Sequence, residues 1–306
     1  MTPADPRTAD PRPADLSPAD PNGAGPHRDT TPRPVERALR ARRDTGGISL
    51  VPYVMAGVVP DWTDHVRACV DAGADAVEIG LPFSDAMLDG PDIQAAATRA
   101  LARGSGMSGL LDEVAGLPRE VPLIVMTYSN IVRRQGDATF CRRLADAGVA
   151  GLIAPDTPLD EMGSLRDAAA DAPLELVLLV APSTRPGRAA RIAHTSEGFV
   201  YVVSNMGVTG YRDTVSATVG RTTALVRDAT TLPVLVGFGI STPEQAVEVG
   251  RLADGVVVAS TLVADVLAGG TAVDTAERVV AFRTALDGAA ERRPAAPTAG
   301  PVGSRS

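Results

Sequence analysis

Eight short apolar runs, each followed by an amphipathic stretch, restrict this chain more than any other feature of it. The runs fall at 49–55, 74–79, 122–127, 149–154, 175–180, 199–203, 233–236 and 255–258. They are rich in Val, Ile and Leu and show little polar alternation, as expected of strands covered on both faces in a parallel sheet. Helical stretches follow at 62–72, 92–103, 107–117, 137–147, 161–170, 185–194, 217–228 and 243–252, and a pair at 262–268 and 274–286 closes the series. A parallel strand needs a long crossover, usually a helix, to begin its neighbour. Eight β-then-α units with no gap for a second core predict an α/β fold, a (β/α)8 TIM barrel spanning 34–288. The stretch 35–43 precedes the first strand and is placed to plug the barrel bottom as an extra N-terminal helix. A doubly wound dinucleotide fold fits less well, because the turn after the first strand, Ala56-Gly-Val-Val-Pro60, lacks Gly-x-Gly-x-x-Gly.

Residues 1–33 are mostly Pro, Ala, Asp and Thr, and 289–306 have a similar bias. Both segments lack the large apolar side chains that offset ordering entropy, so both are expected to be disordered. No apolar run is long enough to span a bilayer, and the N-terminus has no basic-then-apolar signal layout, which points to the cytoplasm. A net charge of −8 without a basic patch disfavours nucleic acid as a partner. The histidines, His27, His65 and His194, share no metal-ligand spacing, and Cys69 and Cys141 fall singly in helical stretches, as buried free thiols do. The sequence holds no lysine. That excludes Schiff-base catalysis and a P-loop lysine.

In a barrel of this kind the active site lies at the C-terminal ends of the strands. The second strand carries Glu78, and eleven positions further on Asp89 stands in a Gly/Pro-punctuated loop. Each has a structural alternative, a core ion pair for Glu78 and an acidic turn residue for Asp89. Together at one barrel mouth they make a pair suited to proton transfer. Apolar neighbours (Val77, Ile79, Leu81 and Phe83) are expected to raise the Glu78 pKa. Strand 3 ends in Tyr128 and Asn130, strand 4 in Asp156, and strand 6 in Tyr201 and Ser204. Glycine loops follow strand 6 (Gly207-Val-Thr-Gly210) and strand 7 (Gly237-Phe-Gly239), and Ala259-Ser260 opens a helix after strand 8. Glycines let backbone approach a ligand, and helix N-termini offer free N–H groups to an anion. Three such loops at consecutive strand ends predict a phosphate site built mainly from backbone.

With these residues in view, the sequence resembles the α subunit family of tryptophan synthase. The likeness rests on Glu78-Ile-Gly-Leu-Pro-Phe-Ser-Asp85, Asp89-Gly-Pro-Asp-Ile-Gln94, Tyr201-Val-Val-Ser204 with Gly207-Val-Thr-Gly-Tyr-Arg212, and Gly237-Phe-Gly-Ile-Ser-Thr-Pro-Glu-Gln245. The resemblance implies retro-aldol cleavage of indole-3-glycerol phosphate to indole and glyceraldehyde 3-phosphate. It implies no cofactor, and a PLP-dependent β subunit as partner in an α2β2 complex. By motif it implies Glu78 and Asp89 as catalytic residues. Tyr201, Thr209, Phe83, Tyr128, Ile153 and Phe238 are implied as substrate-binding, and Gly210, Gly239, Ala259 and Ser260 as phosphate-binding. Four departures from the family pattern stand out: Val58 where an acidic residue is common, Ala86 where proline is, Asn205-Met206 where a basic residue is, and Ala259 where glycine is. Most lie in loops near the mouth and bear on coupling to a partner more than on chemistry. Two other readings use the same residues, a stand-alone lyase of specialised metabolism and a non-catalytic subunit that activates a partner.

Overall fold

The near-continuous apolar runs become the staves of a closed barrel. A computed structural model of the chain describes residues 31–104, 106–204, 212–237 and 239–290, with side chains of 212–216 excepted. Eight parallel strands close in sequence order: β1 (Ser49–Met55), β2 (Val77–Gly80), β3 (Leu123–Met126), β4 (Gly151–Ile153), β5 (Glu175–Val180), β6 (Val200–Val203), β7 (Val234–Gly237) and β8 (Gly255–Val258), with β8 pairing back to β1. Every expected strand is present, with ends that differ from the expected bounds by no more than three residues. The helices around them are α1 (Pro34–Asp44), α2 (Trp62–Asp71), α3 (Pro91–Ala102), α4 (Met107–Ala115), α5 (Ser129–Gln135), α6 (Asp137–Asp146), α7 (Gly163–Asp171), α8 (Pro186–Thr195), α9 (Arg212–Arg227), α10 (Pro243–Gly250), α11 (Ser260–Leu267) and α12 (Ala272–Ala290). The helix expected at 161–170 is present as α7, preceded by a 3-10 turn, Leu159–Glu161.

Register decides which side chains enter the barrel. Tyr53 pairs with Glu78, and Glu78 pairs with Ile124. Residues paired across a parallel ladder point to the same face, so Tyr53, Glu78 and Ile124 share the inner level, while Val77 and Ile79 turn outward onto the helices. Val77 and Ile79 are fully buried there. The apolar neighbours in sequence are thus not the neighbours in space; the inner wall around Glu78 comes from other strands.

The bottom of the barrel is closed by α1, as expected. Val35 and Leu39 are fully buried on it, each a burial worth roughly 2 kcal/mol. Glu175, at the start of β5, caps this helix: its carboxylate accepts the N–H groups of Val35 (2.7 Å) and Glu36 (2.9 Å). The side chain of Val35 packs within 3.1 Å of where a Cβ on Gly198 would sit, so Gly198, at φ +70°, is doubly constrained. Among the described residues the lower end is thus covered by helix and side chains, which leaves the C-terminal rim for chemistry.

α5 is the element the sequence patterning did not reveal. Its N-terminus is held by a carboxylate from the loop after β4: Asp156 accepts the Ser129 N–H (2.8 Å) and the Ser129 hydroxyl (2.7 Å). That cap is tertiary, supplied from 27 residues away in the chain.

Candidate active site

Glu78 projects from β2 into a cleft at the C-terminal rim that encloses about 430 Å³, part of it open to solvent. Tyr53, Asp89, Met126, Tyr201 and Gly239 stand around it, with Ala259 and Ser260 at one end. The sequence reading brought Glu78, Asp89, Tyr201, Gly239, Ala259 and Ser260 to one site, and the structure places all six on this cleft. It missed Tyr53 and Met126. What marks both is the strand register, which makes each an inward residue near the end of its strand.

Glu78 is 1% exposed, and its Oε2 has no hydrogen-bond partner among the described residues. Burial, reinforced by the negative charge of Asp89, pushes its carboxyl up to about 8. No arginine among the described residues neutralises it, so the core ion-pair alternative fails. A carboxyl in this state carries its proton near neutrality yet can release it, as a group working in both directions must.

The loop that carries Asp89 is fixed by short-range bonds. Asp89 N–H donates to Ala86 C=O (3.1 Å), and the Gln94 amide on α3 donates to the carbonyls of Asp89 (2.9 Å) and Ala86 (3.2 Å). Pro91 then starts α3. Asp89 is half-buried, and its Oδ2 accepts the Tyr128 hydroxyl at 3.1 Å. Burial raises the Asp89 carboxyl, and the Tyr128 hydrogen bond pulls it partly back. The same hydroxyl accepts the Leu88 N–H at 3.0 Å, which ties loop, tyrosine and carboxylate together. Tyr128 stacks on Phe83 with ring centroids 5.1 Å apart.

Phe83, Tyr128 and Ile153 therefore sit differently from the other expected substrate contacts. Tyr128 holds Asp89. Phe83 faces a neighbouring groove that it shares with Leu101, Met107, Leu110 and Ile131. Ile153 is fully buried on β4. Thr209, Gly210 and Phe238 lie outside the described residues, as do Asn205 and Met206.

The two tyrosines facing the carboxylates stand in matched settings. A Cβ placed on Gly80 would overlap the Tyr53 hydroxyl, and one on Gly237 would overlap that of Tyr201. Each ring leans over a glycine of the next strand. Burial, with the nearby charges of Glu78 and Asp89, raises both phenols well above the ordinary value, so both stay neutral donors.

At the other end of the cleft the two candidate anion-binding helices differ. α10 caps itself: Thr242 Oγ1 accepts the Gln245 N–H (3.3 Å), and Gln245 Oε1 accepts the N–H groups of Ser241 (2.8 Å) and Thr242 (3.1 Å). α11 begins after Ala259, which offers no side-chain cap. Its first-turn N–H groups and positive dipole end are therefore the ones left for an anion. Ala259 has φ −122°, outside the left-handed region that calls for glycine. Gly239, at φ +79°, does need to be glycine.

Comparisons with known proteins agree with this geometry. The family model described as tryptophan synthase alpha chain matches residues 39–291. The tryptophan synthase alpha chain of Gloeobacter violaceus is 49% identical over 232 residues, covering 74% of this chain and 83% of that one. That of Halorhodospira halophila is 42% identical over 263 residues, covering 83% and 96%. Among solved structures, tryptophan synthase from Mycobacterium tuberculosis superposes with a TM-score of 0.77 at 33% identity, covering 84% of this chain and 99% of that one. Tryptophan synthase subunit alpha from Legionella pneumophila gives 0.76 at 29% identity, covering 84% and 100%. A match that takes in most of α1, the whole barrel and both carboxylate-bearing segments leaves one assignment: this chain belongs to the tryptophan synthase alpha chain family.

Proposed function

We propose that Glu78 and Asp89 carry out the lyase reaction of this family, the retro-aldol cleavage of indole-3-glycerol phosphate to indole and glyceraldehyde 3-phosphate. The observation that carries the assignment is the buried Glu78 carboxyl, its Oε2 without a hydrogen-bond partner and free of an ion pair among the described residues, facing a cleft that Asp89 borders; burial raises its pKa to about 8. The bond to be broken joins indole C3 to a carbinol carbon. Indole C3 is a poor carbanion, so it must gain a proton as the bond breaks, and the carbinol O–H must lose one as the aldehyde forms. Glu78 is the group for both transfers. Protonation at C3 makes the ring cationic and its N–H acidic, and the Asp89 carboxylate, aligned by Tyr128, stabilises that charge. The phosphate sits at the bare N-terminus of α11, with Gly239 beside it, and fixes the substrate's orientation. Both proton steps run on one carboxyl, so the reaction calls for no cofactor.

The family pairs with a β subunit, and we assign that role to the groove beside Phe83. Three of the exposed large apolar side chains, Met87, Leu88 and Leu101, come from the β2–α3 loop and the end of α3 that border it. Apolar surface of this kind at an active-site rim suits a protein partner. An α2β2 assembly in the cytoplasm follows the family pattern; no helix among the described residues is long and apolar enough to cross a membrane.

The test is direct. Indole release is measured with and without a β subunit, for wild type, Glu78→Gln and Asp89→Asn. Wild type should release indole, faster with the β subunit, and each variant should lose turnover while keeping its fold. Near-normal indole release by either variant would refute the residue assignment. Rates indifferent to the β subunit would favour a stand-alone lyase.

A further inference from the structure

The strand order puts β1 between the two chemical ends of the cleft. β7 and β8 lead to Gly239 and the α11 N-terminus, the phosphate end; β2 carries Glu78 and runs into the loop with Asp89. β1 pairs with β8 on one side and β2 on the other. The three-carbon chain of the substrate, which joins ring to phosphate, must therefore cross in front of β1. The cleft-lining side chain that β1 offers is Tyr53, 5% exposed and level with Glu78. Its hydroxyl is the only polar side-chain group β1 presents to the cleft. That hydroxyl lies over Gly80, a place open to it only because residue 80 has no Cβ. It feels the charges of both Asp89 and Glu78, so it stands close to the reacting groups. Among the described residues nothing engages it in a hydrogen bond.

The substrate carries two hydroxyls. The first, on the carbinol carbon next to the ring, reacts at Glu78. The second lies one carbon nearer the phosphate and survives in glyceraldehyde 3-phosphate. We propose that the Tyr53 hydroxyl, set over Gly80 on the strand between Glu78 and the α11 N-terminus, hydrogen-bonds this second, non-reacting hydroxyl and selects for its presence. The inference rests on the lyase reading above. Tyr53 thereby acts as a specificity residue, binding ground and transition states alike.

The test compares wild type with Tyr53→Phe in the full-length chain, which keeps the ring and its contact with Gly80. Two ligands are used, indole-3-glycerol phosphate and indole-3-propanol phosphate, which lacks both hydroxyls. Loss of one neutral hydrogen bond should raise KM for the substrate by about three- to tenfold, with kcat held within about twofold. The dissociation constant of the propanol phosphate should not move. An equal weakening of both ligands would show that Tyr53 serves only to shape the cleft, and would overturn the proposal. So would an unchanged KM, or a fall in kcat alone, which would place the hydroxyl on Glu78 instead. Failure of the lyase reading is seen separately, as absence of indole release by wild type.

Discussion

Glu78→Gln separates the chemistry of the site from its cost to the fold. The carboxyl moves from an ordinary 4.5 to about 8 in the folded protein. An acid raised on folding binds its proton more tightly in the native state. Its contribution to stability is thus fully present below the unfolded value and is lost as pH rises through the folded one. Keeping one proton that the unfolded chain has released costs about 1.4 kcal/mol for every step of one in pH, so the folded state gives up roughly 5 kcal/mol between pH 4.5 and pH 8. Glutamine mimics the protonated carboxyl and does not titrate. Its stability relative to wild type should therefore climb with pH at about 1.4 kcal/mol per pH unit across this window and level off above it. Urea unfolding of both proteins at intervals from about pH 5 to about pH 9 reads that difference directly, with other titrating groups cancelling. At about pH 7 roughly nine in ten wild-type molecules hold the proton, and the variant should lose turnover by roughly a hundred- to ten-thousandfold. A stability difference that is flat from about pH 5 to about pH 8 would mean that Glu78 ionises normally, and the proton-shuttling role would fall with it.

Gly80→Ala should lower stability by about 1–3 kcal/mol and reduce turnover, because the new methyl displaces the buried Tyr53 ring; wild-type unfolding and kinetics would contradict the crowding described here. His65, 1% exposed with Nδ1 2.8 Å from the Thr275 hydroxyl, has its pKa lowered by burial, against the opposing pull of Asp61, Asp64 and Asp274. A base depressed on folding costs stability as pH falls below its unfolded value near 6.5, so His65→Leu should lose less stability than wild type between about pH 7 and about pH 5, a difference that thermal melts in matched buffers would show or exclude. Arg119 donates to the carbonyls of Val114 and Ala115 at the end of α4 and to those of Ala147 and Gly148 after α6. Arg119→Ala should cost about 1–3 kcal/mol in urea unfolding with indole release unchanged; a loss under about 0.5 kcal/mol would show those carbonyls to be satisfied by water.

The barrel was legible because β-strand runs and helical periodicity are local signals, and eight repeats of them admit few topologies. Glu78 and Asp89 were legible because a carboxylate in an apolar strand and another in a Gly/Pro loop are conspicuous in one dimension. Tyr53 was not, since a tyrosine in a strand is ordinary until the ladder sets it opposite Glu78. α5 was hidden for a related reason: seven residues are too few to show periodicity, and its cap, Asp156, arrives from the loop after β4. The glycine loop after strand 7 and the helix start after strand 8 both suggested anion sites. Only the structure separates a helix that caps itself, α10, from one that does not, α11. The environment of Glu78 was anticipated in sign but attributed to the wrong residues. Val77 and Ile79 face away, and what dries the carboxyl is a wall of tyrosines and Met126 from distant segments.

Each cleft tyrosine occupies room that a glycine on the adjoining strand leaves vacant. Positions 53 with 80, and 201 with 237, are therefore not independent letters of the sequence. A larger residue at 80 or 237 becomes tolerable only after its tyrosine has been shortened, so the order of substitutions matters. Efforts to reshape this enzyme for other aryl substrates have a permitted direction of travel, aromatic ring first and glycine second, and libraries that randomise the glycines alone will return mostly broken barrels.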